Sequence, residues 1–132
     1  MRNQAAWPQA DSPREISRLV ARHLENGDLE GVVSLFDPEC RIFFPPGEPP
    51  KLGLDGARSA FAEVIGQRPS LISEIKAEII TGDVALLQAA WRLESSDRTL
   101  LASGRSMEVA RRSADGGWRY LIDCPGGLPD TD

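Results

Sequence analysis

The segment Glu108-Val109-Ala110-Arg111-Arg112-Ser113-Ala114-Asp115-Gly116-Gly117-Trp118-Arg119-Tyr120-Leu121-Ile122-Asp123-Cys124 decides the fold. Strand-forming residues flank Asp115-Gly116, and an Asp-Gly pair between two such runs signals a tight hairpin. A two-residue turn there pairs Ala114 with Gly117, Ala110 with Leu121 and Glu108 with Asp123. Side chains opposite one another share a face, and like charges in that position destabilise a sheet. The hairpin therefore sets two carboxylates against each other.

Two more turn signals lie upstream, at Ser96-Asp97 and Gly82-Asp83. The three turns divide the chain into strands over 71–81, 84–94, 99–113 and 117–124, an antiparallel meander. A two-residue turn at Ser96-Asp97 places Trp91 opposite Ala102 and Ala85 opposite Glu108. With period-2 alternation, one face carries Ala85, Leu87, Ala89, Trp91, Gly104, Ser106, Glu108, Ala110, Leu121 and Asp123. Its Ala, Gly and Ser positions leave space beside the two acids. The other face carries Val84, Leu86, Met107, Val109, Trp118, Tyr120 and Ile122, apolar enough for a homodimer through the sheet.

Before the strands the period is helical. Ser12-Pro13-Arg14-Glu15 reads as a capped start, followed by Ile16, Leu19, Val20, His23 and Leu24 on one face, and Asn26-Gly27 as the stop. Asp28 caps a second helix with Leu29, Val32, Val33 and Phe36 inward, ended by Asp37-Pro38. Cys40–Phe44 reads as a short strand, and the prolines at 45, 46, 49 and 50 as a loop. Asp55 opens a third helix with Ala57, Ala60, Phe61, Val64 and Ile65 on one side. Three helices followed by a meander define an α+β domain over 12–126, with a flexible arm at 1–11 and a tail at 127–132.

Composition narrows the function. At 132 residues, 41% hydrophobic and 27% charged, the chain fits one domain with a packed core. A net charge of −5 disfavours nucleic acid, which rewards clustered Lys and Arg. No apolar run reaches the length of a membrane span, and the N-terminus lacks a signal-peptide core. Two isolated cysteines, Cys40 and Cys124, fit a reduced cytoplasmic protein. With the single histidine His23 they offer no metal-ligand spacing, and no glycine-rich phosphate motif is present. No metal or cofactor is expected.

Glu25-Asn26-Gly27-Asp28-Leu29-Glu30-Gly31-Val32-Val33-Ser34-Leu35-Phe36-Asp37-Pro38-Glu39-Cys40 resembles the opening signature of the nuclear transport factor 2-like superfamily. The superfamily includes ketosteroid isomerases, SnoaL-like polyketide cyclases and scytalone dehydratase. The terminal hairpin, Glu108 through Pro125, resembles an uncharacterised bacterial SnoaL-like subgroup, and the similarity spans about 13–126. The resemblance implies a cystatin-like α+β roll: a cone-like curved antiparallel sheet on three N-terminal helices, enclosing one small-molecule pocket. It also places Phe44 at the isomerase base, Val20 at its catalytic tyrosine and Glu108 at its protonated aspartate, with Leu121 and Asp123 on the pocket wall. Phe44 cannot accept a proton and Val20 cannot donate one, so ordinary steroid isomerisation is disfavoured.

The expected site is Asp123 as base and Glu108 as acid, with the roles exchangeable because a close pair titrates as a unit. Val20, Phe44, Leu87, Ala89, Trp91, Leu121 and His23 are the expected ligand contacts. Trp91 either stacks on a flat ligand or fills core, His23 either carries a proton at the pocket mouth or edges the core, and Phe44 either meets ligand or packs the cone. The two carboxylates either share the pocket, point to water, or pair with Arg41, Arg92, Arg105 or Arg119. Two functions follow: a cofactor-independent acid–base enzyme (isomerase, dehydratase or cyclase) on a small apolar or aromatic molecule, or a non-catalytic binding or association module.

Overall fold

A computed structural model describes residues 7–130. Helix α1 (Glu15–Glu25) buries Ile16, Leu19, Val20, His23 and Leu24, the face set by its 3.6-residue period. It starts differently from a Ser12 cap: the N-cap is Arg14, and the Glu15 carboxylate accepts the Asp11 N–H at 2.7 Å. Asp28 does cap α2 (Leu29–Val33), accepting from Gly31 N–H at 2.9 Å. That helix ends before Phe36, which instead opens strand β1 (Phe36–Ile42). The strand thus begins four residues ahead of the expected Cys40. Burial accounts for the change, because Phe36 packs at 5.7 Å from the Phe61 ring and 5.6 Å from the Tyr120 ring.

Strand β2 (Lys51–Leu52) pairs with β1 and leads into α3 (Gly53–Ile65), where Asp55 lies in the first turn instead of capping. The meander follows as β3 (Ser70–Thr81), β4 (Val84–Glu94), β5 (Leu100–Arg112) and β6 (Trp118–Cys124). The unclosed sheet has the order β2-β1-β6-β5-β4-β3, and its pairs are antiparallel except β1–β6, which is parallel. Bulges bend the strands, and α1 and α3 pack against the sheet with α2 joined to both.

The registers differ instructively from the two-residue turns expected. Around Asp115 the connection is one residue longer: Ser113 N–H donates to Gly117 O at 2.8 Å, with Gly116 at φ 90°. Tyr120, not Leu121, therefore faces Ala110. A bulge at Leu121 then restores the count, and Glu108 does stand opposite Asp123. At the Ser95–Thr99 loop the register is displaced by two, so Trp91 faces Gly104, not Ala102, and Leu87, not Ala85, faces Glu108. A shift of two leaves every side chain on its expected face.

The expected arm over 1–11 is corrected in its described part. Ala10 is fully buried and accepts the Trp118 N–H at 3.0 Å, while the Trp7 indole N–H donates to Asp28 at 2.8 Å. Residues 1–6 and 131–132 lie outside the described residues.

Candidate active site

Between the concave face and the helices lies a cavity of about 350 Å³. Helix α1 contributes Ser17, Val20 and Leu24, one stripe at i, i+3 and i+7. Helix α3 contributes Ala60, Phe61, Glu63 and Val64. The sheet contributes Phe36, Ile42, Leu71, Trp91 and Leu93, and Phe44 stands half-exposed at the edge.

Glu108 and Asp123 enter this space from neighbouring strands. They are 9% and 8% exposed. Among the described residues neither forms an ion pair: Arg92 binds Glu94, Arg119 binds Asp115 and Arg111 binds Asp37 and Glu39. Burial raises the Glu108 carboxyl to about 7, with the Ser106 hydroxyl beside it acting in the opposite direction. Asp123 is raised well above the usual carboxylate range, by burial first and then by Glu108. Both carboxyls are thus raised, and so close a pair titrates as a unit.

Tyr120 adds a third proton-bearing group. Burial, then Glu108 and Asp123, push its phenol well above 10, so the hydroxyl stays a donor, with Ser17 alongside. The hairpin rule put Tyr120 on the outer face; the longer turn and the Leu121 bulge bring it in.

Trp91 is held by its polar edge: the indole N–H donates to Pro125 O at 2.8 Å. Gly104 opposite makes this possible. A Cβ there would lie 3.0 Å from the Pro125 oxygen and 3.4 Å from the indole. With its N–H engaged, the tryptophan offers the cavity ring carbon alone.

Of the expected contacts, Val20, Phe44 and Trp91 line the cavity with both acids. Leu87 and Ala89 point the same way but are buried in the packing away from the open space. Leu121 is displaced from the wall because it is the bulged residue. His23 is corrected as well: it is buried against α2, with Nδ1 3.7 Å from Asp28, and burial lowers its pKa despite that acid. Sequence reasoning missed Ser17, Glu63 and Tyr120. The α1 stripe could have revealed Ser17; the bulge that turns Tyr120 inward has no marker in the sequence.

A curved sheet with a helix-covered, acid-bearing cavity defines a nuclear transport factor 2-like α+β roll. More narrowly, residues 16–121 match the SnoaL-like domain, and the chain belongs to that family. No curated protein matches the sequence. Among solved structures, the chain is similar to a candidate calcium/calmodulin-dependent protein kinase type II association domain from Thiobacillus denitrificans. The TM-score is 0.72 at 20% identity, over 89% of this chain and 98% of that one. It is similar to a ketosteroid isomerase-like protein from Erwinia carotovora atroseptica, with TM-score 0.63 and 18% identity over 84% and 89% of the two chains. An NTF-2-like protein of unknown function from Shewanella oneidensis gives 0.70 at 14% identity over 84% and 93%. At such identities the likeness is one of fold.

Proposed function

We propose that this domain binds a small, mainly apolar or aromatic molecule in the cavity and moves protons on it through Glu108 and Asp123, without a cofactor. One observation carries this: two buried carboxyl groups without an ion-pair partner among the described residues meet inside a mainly apolar space large enough for a ligand. The close pair titrates as a unit, so one carboxyl serves as acid while the other serves as base, with Glu108 raised to about 7 and Asp123 well above the usual carboxylate range. Tyr120 assists as a fixed donor to developing negative charge. Isomerisation, dehydration and cyclisation need only such groups. Phe44 and Val20 are hydrocarbon at the wall, so ordinary steroid isomerisation is disfavoured. We place the protein in the cytoplasm, where the free, buried Cys40 and Cys124 stay reduced.

A screen of small aromatic compounds by thermal shift tests the proposal. Ligands should stabilise the wild type, and Ala60→Trp, which fills the cavity, should abolish the shift. A ligand that stabilises both proteins equally binds elsewhere and contradicts it.

A second reading has its own observation. Ile79, Leu86, Val109 and Ile122 form one row across four strands of the convex face, with Ile79 and Leu86 exposed. We propose a homodimer across this row, which would also serve an association module. Light scattering at micromolar concentration should give a dimer that Leu86→Glu dissociates; a monomeric wild type sinks it.

A further inference from the structure

We propose, on the footing of the pocket just described, that its occupant is a lipophilic amine: a ring-bearing apolar body with one protonated nitrogen seated between Glu108 and Asp123.

The charges of the wall point this way. Among the described residues its ionisable side chains are Glu63, Glu108, Asp123 and Tyr120, and no Lys, Arg or His lines it. A carboxylate or phosphate ligand would meet acids and no cation. The arginines of the strands do not reach the pair: Arg92, Arg111 and Arg119 alternate with cavity-facing residues, and they and Arg112 are held by acids of the strands and turns. Asp123 is more than nine-tenths buried, lines the open space and has no side-chain partner among the described residues. A cation delivered by the ligand supplies the missing partner, in a low-dielectric site where such a pair is worth most.

The remaining wall suits the rest of the molecule. Phe36, Phe61, Trp91 and Tyr120 offer ring surface, and aromatic faces attract an ammonium within about 6 Å. Trp91, its N–H engaged by Pro125, contributes no competing donor. Glu63 is exposed where α3 meets the cavity and has no ion pair among the described residues, so it biases approach toward cations. A volume of about 350 Å³ accommodates a molecule of one or two rings. Proton bookkeeping is simple. A neutral amine takes the Glu108 proton; an ammonium sends that proton to water. Either way the product is an ammonium–carboxylate pair with the second carboxyl beside it.

Isothermal titration with three matched probes tests this: naphthylethylamine, naphthylethanol and naphthylacetate. The amine should bind at least about tenfold more tightly than the alcohol, and the acetate should not bind. The double variant Glu108→Gln, Asp123→Asn, checked for folding by its amide NMR spectrum, should bring the amine to the alcohol's affinity. An alcohol that binds as tightly as the amine to the wild type overturns the amine while leaving the pocket standing. If all three probes fail to bind, both fall.

Discussion

Asp37 and Asp123 are buried to similar degrees, 4% and 8% exposed, on neighbouring strands. The fold treats them in opposite ways. Asp37 receives the Arg111 guanidinium through Nε at 3.2 Å and Nη2 at 3.0 Å, and accepts the Glu39 N–H at 2.8 Å. Asp123 faces a second acid and has no such partner. The first arrangement neutralises a charge inside the protein and ties β1 to β5 across β6. The second leaves neutralisation to a proton or to an incoming molecule. Burial is common to both; absence of a partner separates the site from the scaffold.

That contrast can be broken by measurement. The largest effect concerns pH. Glu108 has a folded value of about 7 against an ordinary 4.5, so the folded chain holds a proton that the unfolded chain releases between those values. Its contribution is therefore fully present below about pH 4.5 and is lost as pH rises through about 7. The loss is on the order of 3 kcal/mol. Denaturant melts across this range should show the decline, and Glu108→Gln should remove its share while the part due to Asp123, also raised, remains. Arg111→Ala is next. It strands the buried Asp37, and stability should fall, tempered by the partial exposure of the arginine. Asp123→Asn should act with the opposite sign, raising stability at neutral pH, since one buried acid fewer then needs a proton. Trp91→Phe should be mildest, about 1 kcal/mol destabilising by loss of the bond to Pro125.

The same two aspartates mark what was legible in the sequence. Helix periods and turn signals sufficed for the α+β order, and Glu108 stood opposite Asp123 as read. Part of that agreement is a cancellation, because a longer turn moved the register by one and the Leu121 bulge moved it back. Between those two irregularities the parity is reversed, which is why Tyr120 entered the cavity and Leu121 left it. Bulges answer to packing on both sides of a sheet, not to local residue type. His23 was misplaced for a related reason. It lies on the inward face of α1, but on the side that α2 covers, and only tertiary packing decides which side that is. Arg111's partner was equally invisible, since Asp37 lies 74 positions away.

The most direct test is a carboxyl-carbon NMR titration of Glu108 and Asp123 in the wild-type protein. The predicted result is raised values for both carboxyls, Glu108 to about 7 and Asp123 well above the usual carboxylate range. Ordinary acidic values for both groups would mean that water or a counter-charge reaches them, and the acid-bearing cavity would lose its chemistry.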